Sequence, residues 1–138
     1  MRLLVVGAHA ADFVWRAGGI IAKTAELGGE VLNLSLSYGE KGESGNLWKE
    51  DPNRSIESVK EARHEMSSKA SEILGCTYQC LDWGDYPMLI NEEREAQLAE
   101  IIRDFSPKII LTHTAKDPFN PDHPLAYTIV QRARLLSA

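Results

Sequence analysis

Apolar positions along the chain alternate between short continuous runs and longer segments with a helical period. Arg2 to Gly7 (RLLVVG) is a compact apolar run closed by glycine, the pattern of a strand buried on both faces of a parallel sheet. From Asp12 to Leu27 the residues Phe13, Val14, Ala17, Ile20, Ile21, Thr24 and Leu27 recur near helical spacing, and Gly28 and Gly29 end the pattern, which predicts a helix. Glu30 to Leu36 (EVLNLSL) reads as a second strand, and Ser55 to Leu74 as a long amphipathic helix stopped by Gly75. Thr77 to Asp82 is a third strand. Asn91 caps a helix running to about Phe105, Pro107 blocks its continuation, and Lys108 to Thr112 (KIILT) is a fourth strand, read as buried. A last helix starts near Asp122. This alternation predicts an α/β fold, a Rossmann-like three-layer α/β/α architecture with a mainly parallel sheet.

One connection breaks the rhythm. Ser37 to Arg54 (SYGEKGESGNLWKEDPNR) is long and polar, and structureless connections of that length in compact domains are usually functional or disordered. It leaves the carboxyl end of strand two, where ligands of open α/β sheets bind, so it reads as an active-site loop. The whole chain, residues 1–138, reads as a single α/β domain. It stops inside a helical pattern with no closing strand behind it, which suggests the N-terminal part of a longer chain.

Composition narrows the function classes. A chain of 138 residues with 43% hydrophobic and 25% charged residues is globular. Its net charge of −5, with scattered basic residues, carries no electrostatic footprint for nucleic acid or an anionic membrane. The opening apolar run is too short for a signal peptide, and no segment reaches membrane-spanning length, so a cytoplasmic location is expected. Cys76 and Cys80 lack a second pair that would make a zinc ribbon and read as small apolar fillers. Among the tryptophans, Trp15 reads as core, whereas Trp48 and Trp83 fall in loops able to cover a pocket.

The chemistry-bearing residues gather at one edge of this layout. His9 lies just past strand one, Asp12 opens the following helix, and His123 opens the last helix. Two imidazoles and a carboxylate suit Zn²⁺, Fe²⁺ or Mn²⁺ and leave coordination positions open for water or substrate, which is a catalytic arrangement. Taken singly, Asp12 is also a plausible helix N-cap and each histidine an ordinary loop residue. The turn GAHAADFVWRAGG lacks the G-x-G-x-x-G spacing of a dinucleotide site.

Together, A-H-x-x-D at 8–12, Gly18 with Gly19, the R-x₁₁-G spacing from Arg63 to Gly75, T-H at 112–113 and P-D-H at 121–123 resemble the LmbE-like, PIG-L-type zinc-dependent N-acetyl-sugar deacetylases. The resemblance spans essentially the whole chain. It implies that His9, Asp12 and His123 bind zinc, that Arg63 contacts substrate and that the protein is a homo-oligomer. Two departures stand out: Ala11 occupies the place of the carboxylate resembling the deacetylases' general base, and Asn120 that of a histidine implicated at their transition state. A positioned acid or base contributes roughly 10²–10⁴ in rate, so losing both implies a poor amidase.

Within the family, AHAADFVWRAGG (8–19), LSYGEKGES (36–44), LW (47–48) and GDYPM (84–88) are similar to members that hydrate a carbon–carbon double bond conjugated to a keto-acid. This narrower resemblance implies a metal-dependent hydro-lyase acting on a small polycarboxylate. Glu43 and Glu40 in the polar loop are the candidate bases, and a solvated loop carboxylate is the ordinary alternative for each. His113 is a candidate acid or a partner that orients a ligand. Arg63, Arg16 and Asn120 are candidate substrate contacts; Arg16, four residues after Asp12, equally suits an ion pair with it. His64 reads as a surface helix residue. A deacetylase with a relocated base, and a catalytically incomplete metal-binding fragment, are the competing readings.

Overall fold

The computed structural model describes residues 1–138. Strands β1 (Arg2–Gly7), β2 (Glu30–Ser35), β3 (Thr77–Cys80) and β4 (Ile109–Leu111) form one parallel sheet in the order β3-β2-β1-β4. Helices α1 (Asp12–Glu26), α3 (Ile56–Leu74), α4 (Glu92–Phe105) and α5 (Asp122–Leu136) flank it, and a short α2 (Gly45–Glu50) lies in the polar connection.

Side chains alternate across a strand, so β1 feeds two cores. Leu3 and Val5 join Phe13, Ala17 and Ile21 of α1, while Leu4 and Val6 join Leu98, Ile102, Ile129 and Val130 of α4 and α5. These two clusters make the three layers. The helix ends follow local chemistry: the Ser55 hydroxyl accepts from the Ser58 N–H at 3.1 Å and the Asn91 carboxamide oxygen from the Arg94 N–H at 2.9 Å. Each such cap stabilises a helix by about 1 kcal/mol. Gly75, at φ +75°, closes α3 in the left-handed conformation that glycine adopts without strain.

Several expectations need correction. The 37–54 connection is not structureless throughout, because Gly45–Glu50 is helical. The fourth strand is shorter than Lys108 to Thr112 and is not buried: β4 pairs with β1 alone, and Ile109 is 43% exposed. Trp15 is not core but 87% exposed, since the buried stripe of α1 runs through Phe13, Ala17, Ile21 and Thr24 and leaves Trp15 on another face. Trp83 is buried and donates its indole N–H to Gln97 Oε1 at 3.0 Å. Trp48 lies in α2 and donates to the Glu40 carbonyl at 2.8 Å. Neither covers the pocket described below. Both cysteines are free thiols, and burial above all pushes Cys80 up to about 11, which fits a filler role. No helix is long and apolar enough to cross a membrane.

Candidate metal centre

β1 ends at Gly7 because the chain must turn tightly there; a Cβ on Gly7 would lie 3.0 Å from the Asp12 Cβ. His9 and Asp12 are thereby folded together, and the His9 backbone N–H donates to Asp12 Oδ2 at 2.8 Å. His123 arrives from the first turn of α5. One ligand atom from each of His9, Asp12 and His123 lies within 4.8 Å of the others, which is the convergence that the sequence layout implied. His9 and His123 are 1% and 2% exposed.

The hydrogen bonds around this trio bear on whether a cation fits. His9 Nε2 lies 3.1 Å from Asp122 Oδ2, and His123 Nδ1 lies 2.7 Å from Asp117 Oδ2. If those nitrogens carry the protons that the carboxylates accept, His9 Nδ1 and His123 Nε2 present lone pairs. Both of these atoms are buried without a hydrogen-bond partner, and each lies 3.5 Å from an Asp12 oxygen. A buried unpartnered imidazole nitrogen is costly unless something binds it. Two of them facing one carboxylate, each oriented by a further carboxylate, match the arrangement of ligands around a divalent metal. The donor set fits the expected ion.

Electrostatics point the same way. Burial alone would push the Asp12 carboxyl up, but contacts with His113, His123 and His9 hold it well below the usual carboxylate range. Burial opposes charging His9, and Asp12, Asp122 and Glu43 outweigh it, so its imidazole is raised. Asp117 and Asp122 are both held low, Asp117 by its His123 contact first and Asp122 by backbone N–H groups and His9 against the effect of burial.

Around the trio lies a cavity of about 540 Å³ whose lining includes Arg16, Arg63, Glu43 and Asn120 as well as the ligand candidates. Glu43 Oε1 is 3.9 Å from His9 Nδ1. Arg63 donates Nε–H to the Tyr38 carbonyl at 3.2 Å, and its Nη2 is buried without a partner. Arg16 Nε sits 3.6 Å from Asp12 Oδ1, as its spacing allowed. Ala11 lines the cavity and supplies no carboxylate.

Two candidates fall elsewhere. Glu40 is 3% exposed and absent from the cavity lining; burial pushes its carboxyl up, and Asp85 and Asp82 add to the shift. His113 lies behind Asp12, its Nε2 3.1 Å from Asp12 Oδ2 and 2.9 Å from the Ala8 nitrogen, with its ring stacked on His123 at 3.8 Å. His64 is exposed on α3.

Sequence reasoning missed Asp117, Asp122 and Tyr86. The two carboxylates both precede His123 closely in the chain, a signal that was available. Tyr86 lies in the GDYPM segment, but its place over His9 depends on a turn anchored by Asp122, which accepts from the Tyr86 and Met88 N–H groups at 3.0 Å each. Asp85 fastens the polar loop to the same turn by accepting from the Gly42 N–H at 2.7 Å and the Lys41 N–H at 3.0 Å.

The parallel α/β sheet that places this histidine and carboxylate set at its carboxyl edge belongs to a known family. Residues 4–134 match the PIG-L, GlcNAc-PI de-N-acetylase family, and the chain belongs to that family. It is 46% identical over 134 residues to a protein named 4-oxalmesaconate hydratase from Pseudomonas putida KT2440, covering 97% of this chain and 52% of that protein. The crystal structure of the 4-carboxy-2-hydroxymuconate hydratase of the same organism superposes with a TM-score of 0.95 at 46% identity, over 98% of this chain and 56% of that one. The N,N'-diacetylchitobiose deacetylase of Pyrococcus horikoshii, 22% identical, shares the fold with a TM-score of 0.87 over 99% of this chain and 50% of its own. The chain spans about half the length of these relatives.

Proposed function

We propose that this chain carries the metal-binding part of a hydratase that adds water across the double bond of 4-oxalmesaconate or a close relative, an unsaturated keto-acid with several carboxylates. The observation that supports it best is a carboxylate and two arginines around a metal-ligand trio, with no carboxylate at Ala11. The 46% identity to a protein named 4-oxalmesaconate hydratase supports a substrate of this class.

His9, Asp12 and His123 would hold the ion, with zinc the expected occupant given nitrogen and carboxylate ligands. When bound, such an ion supplies Lewis acidity to a keto or carboxylate oxygen of the substrate. Asp122 and Asp117 orient the two imidazoles through their far nitrogens, and His113 buttresses Asp12. The buried, unpartnered Nη2 of Arg63 offers a substrate carboxylate a charge-assisted hydrogen bond, and Arg16 adds a second cation at the rim. Glu43 accepts a proton from the attacking water. Returned from the Glu43 carboxyl to the neighbouring carbon, that proton completes the addition: the hydroxyl adds to one carbon and the proton to the other.

The deacetylase alternative needs the Asn120 amide as an oxyanion donor. That amide already donates to Glu43 Oε1 at 3.1 Å and to the Tyr86 oxygen at 2.7 Å, which weighs against the alternative. The test is to incubate the protein with 4-oxalmesaconate and, separately, with N-acetylglucosamine derivatives, before and after chelation. Chelator-sensitive hydration without acetate is expected; acetate without hydration overturns the proposal.

A further inference from the structure

Glu43 is poorly suited, on its own, to a positional task. It lies on a surface loop with its side chain 38% exposed, and an unrestrained glutamate loses rotamer entropy when fixed. The structure fixes it nonetheless. The Tyr86 hydroxyl donates to Glu43 Oε1 at 2.9 Å, and the Asn120 amide donates both to that oxygen and to the Tyr86 oxygen. The three groups form a closed triangle. Both donors land on Oε1, which leaves Oε2 to accept a proton.

The phenol ring is itself held on two sides. One face stacks on the His9 imidazole, with centroids 5.5 Å apart and planes 3° from parallel. On another side the ring lies so close to Gly42 that a Cβ there would sit 2.0 Å from Tyr86 Cε2. Only glycine fits at 42 while the ring stays in place. The Tyr86 backbone is tied to Asp122 Oδ2, the oxygen that also contacts His9 Nε2. One buried carboxylate therefore sets both the ligand imidazole and the turn that carries Tyr86.

We propose that Tyr86 is a positioning residue, wedged between His9 and Gly42, that holds the Glu43 carboxylate in register with the metal centre. Asn120, which donates to both Glu43 and Tyr86, completes the clamp. The value of Tyr86 for the reaction rests on the hydratase reading; its hold on Glu43 does not.

The test uses two variants of the metal-loaded protein. Tyr86→Phe removes the hydroxyl and keeps the stacked ring, whereas Gly42→Ala keeps the hydroxyl and displaces the ring. Both are expected to retain metal and to change KM little, while kcat falls roughly tenfold or more, the range for losing a hydrogen bond to a charged group. Combining Tyr86→Phe with Glu43→Gln is expected to cost no more than Glu43→Gln alone, because the tyrosine acts through the glutamate. A crystal structure of metal-loaded Tyr86→Phe is expected to show the Glu43 carboxylate swung away from Asn120. Unchanged kcat, additive losses in the double variant, or Glu43 unmoved in the crystal would each overturn the inference. If the wild-type protein hydrates nothing, the hydratase reading fails, and the Glu43 position in that crystal still decides the clamp.

Discussion

Of the places where this molecule buries polar atoms without partners, two are built to opposite ends. At the carboxyl edge of the sheet, His9 Nδ1 and His123 Nε2 are unpartnered. Beneath α3, so are Asn33 Oδ1, Ser35 Oγ and Tyr78 Oη, beside an Asn33–Ser71 hydrogen bond of 3.3 Å. The seam under α3 holds neutral groups, and burial above all pushes the Tyr78 phenol upward, away from ionisation. At the sheet edge the unpartnered atoms flank one ionised carboxylate, and each imidazole is oriented from behind by another. Orphaned polarity alone does not mark a functional site. Convergence of ionisable groups with support behind them does.

The sharpest way to break this contrast is to remove a ligand. His9→Ala or His123→Ala is expected to weaken metal retention by more than about a hundredfold, beyond the range for outer partners, and to abolish hydration; metal analysis after gel filtration checks it. Next in size, Glu43→Gln should lower kcat by roughly 10²–10⁴ with metal content intact. A full metal complement with unchanged turnover would remove Glu43 from the mechanism. Asp122→Asn should weaken the metal about 10–100-fold by loosening His9, read from competition with a chromogenic chelator. In the seam, Ser71→Ala should cost about 1–3 kcal/mol in urea denaturation, since it leaves the buried Asn33 amide without its acceptor, and release no metal.

Glu40 and Glu43 sharpen the same contrast within one loop. Burial raises the Glu40 carboxyl above its ordinary 4.5, so the folded state binds its proton more tightly than the unfolded chain. That contribution to stability is full below pH 4.5 and is lost as pH rises through the folded value. Glu40→Gln removes the loss, so the variant's stability relative to wild type should grow as pH rises above 4.5, while hydration persists. Urea midpoints at pH 4.5 and 7 measure the difference; a variant equally destabilised at both would contradict it.

Much of this was legible in the sequence because apolar runs and helical periods mark where strands end and helices begin. His9, Asp12 and His123 sit at such junctions, so a correct topology brings them together. The misreadings have a common physical source. Apolar character places Trp15 and β4 in the interior, but burial depends on which face of a helix meets the sheet and on which strand has two neighbours. The role of Tyr86 was hidden for a different reason, because its contacts with His9, Gly42, Glu43 and Asn120 join segments far apart in the chain. No local pattern encodes such a clamp.

The central claim is that His9, Asp12 and His123 hold a metal ion used for adding water to a double bond. Following the ultraviolet absorbance of 4-oxalmesaconate with chelated protein, and again after adding back Zn²⁺, tests it directly. Loss of the conjugated absorbance only in the metal-restored sample of wild-type protein, and in neither sample of His123→Ala, is the predicted result. Equal rates with and without metal, or no loss with either, would contradict it.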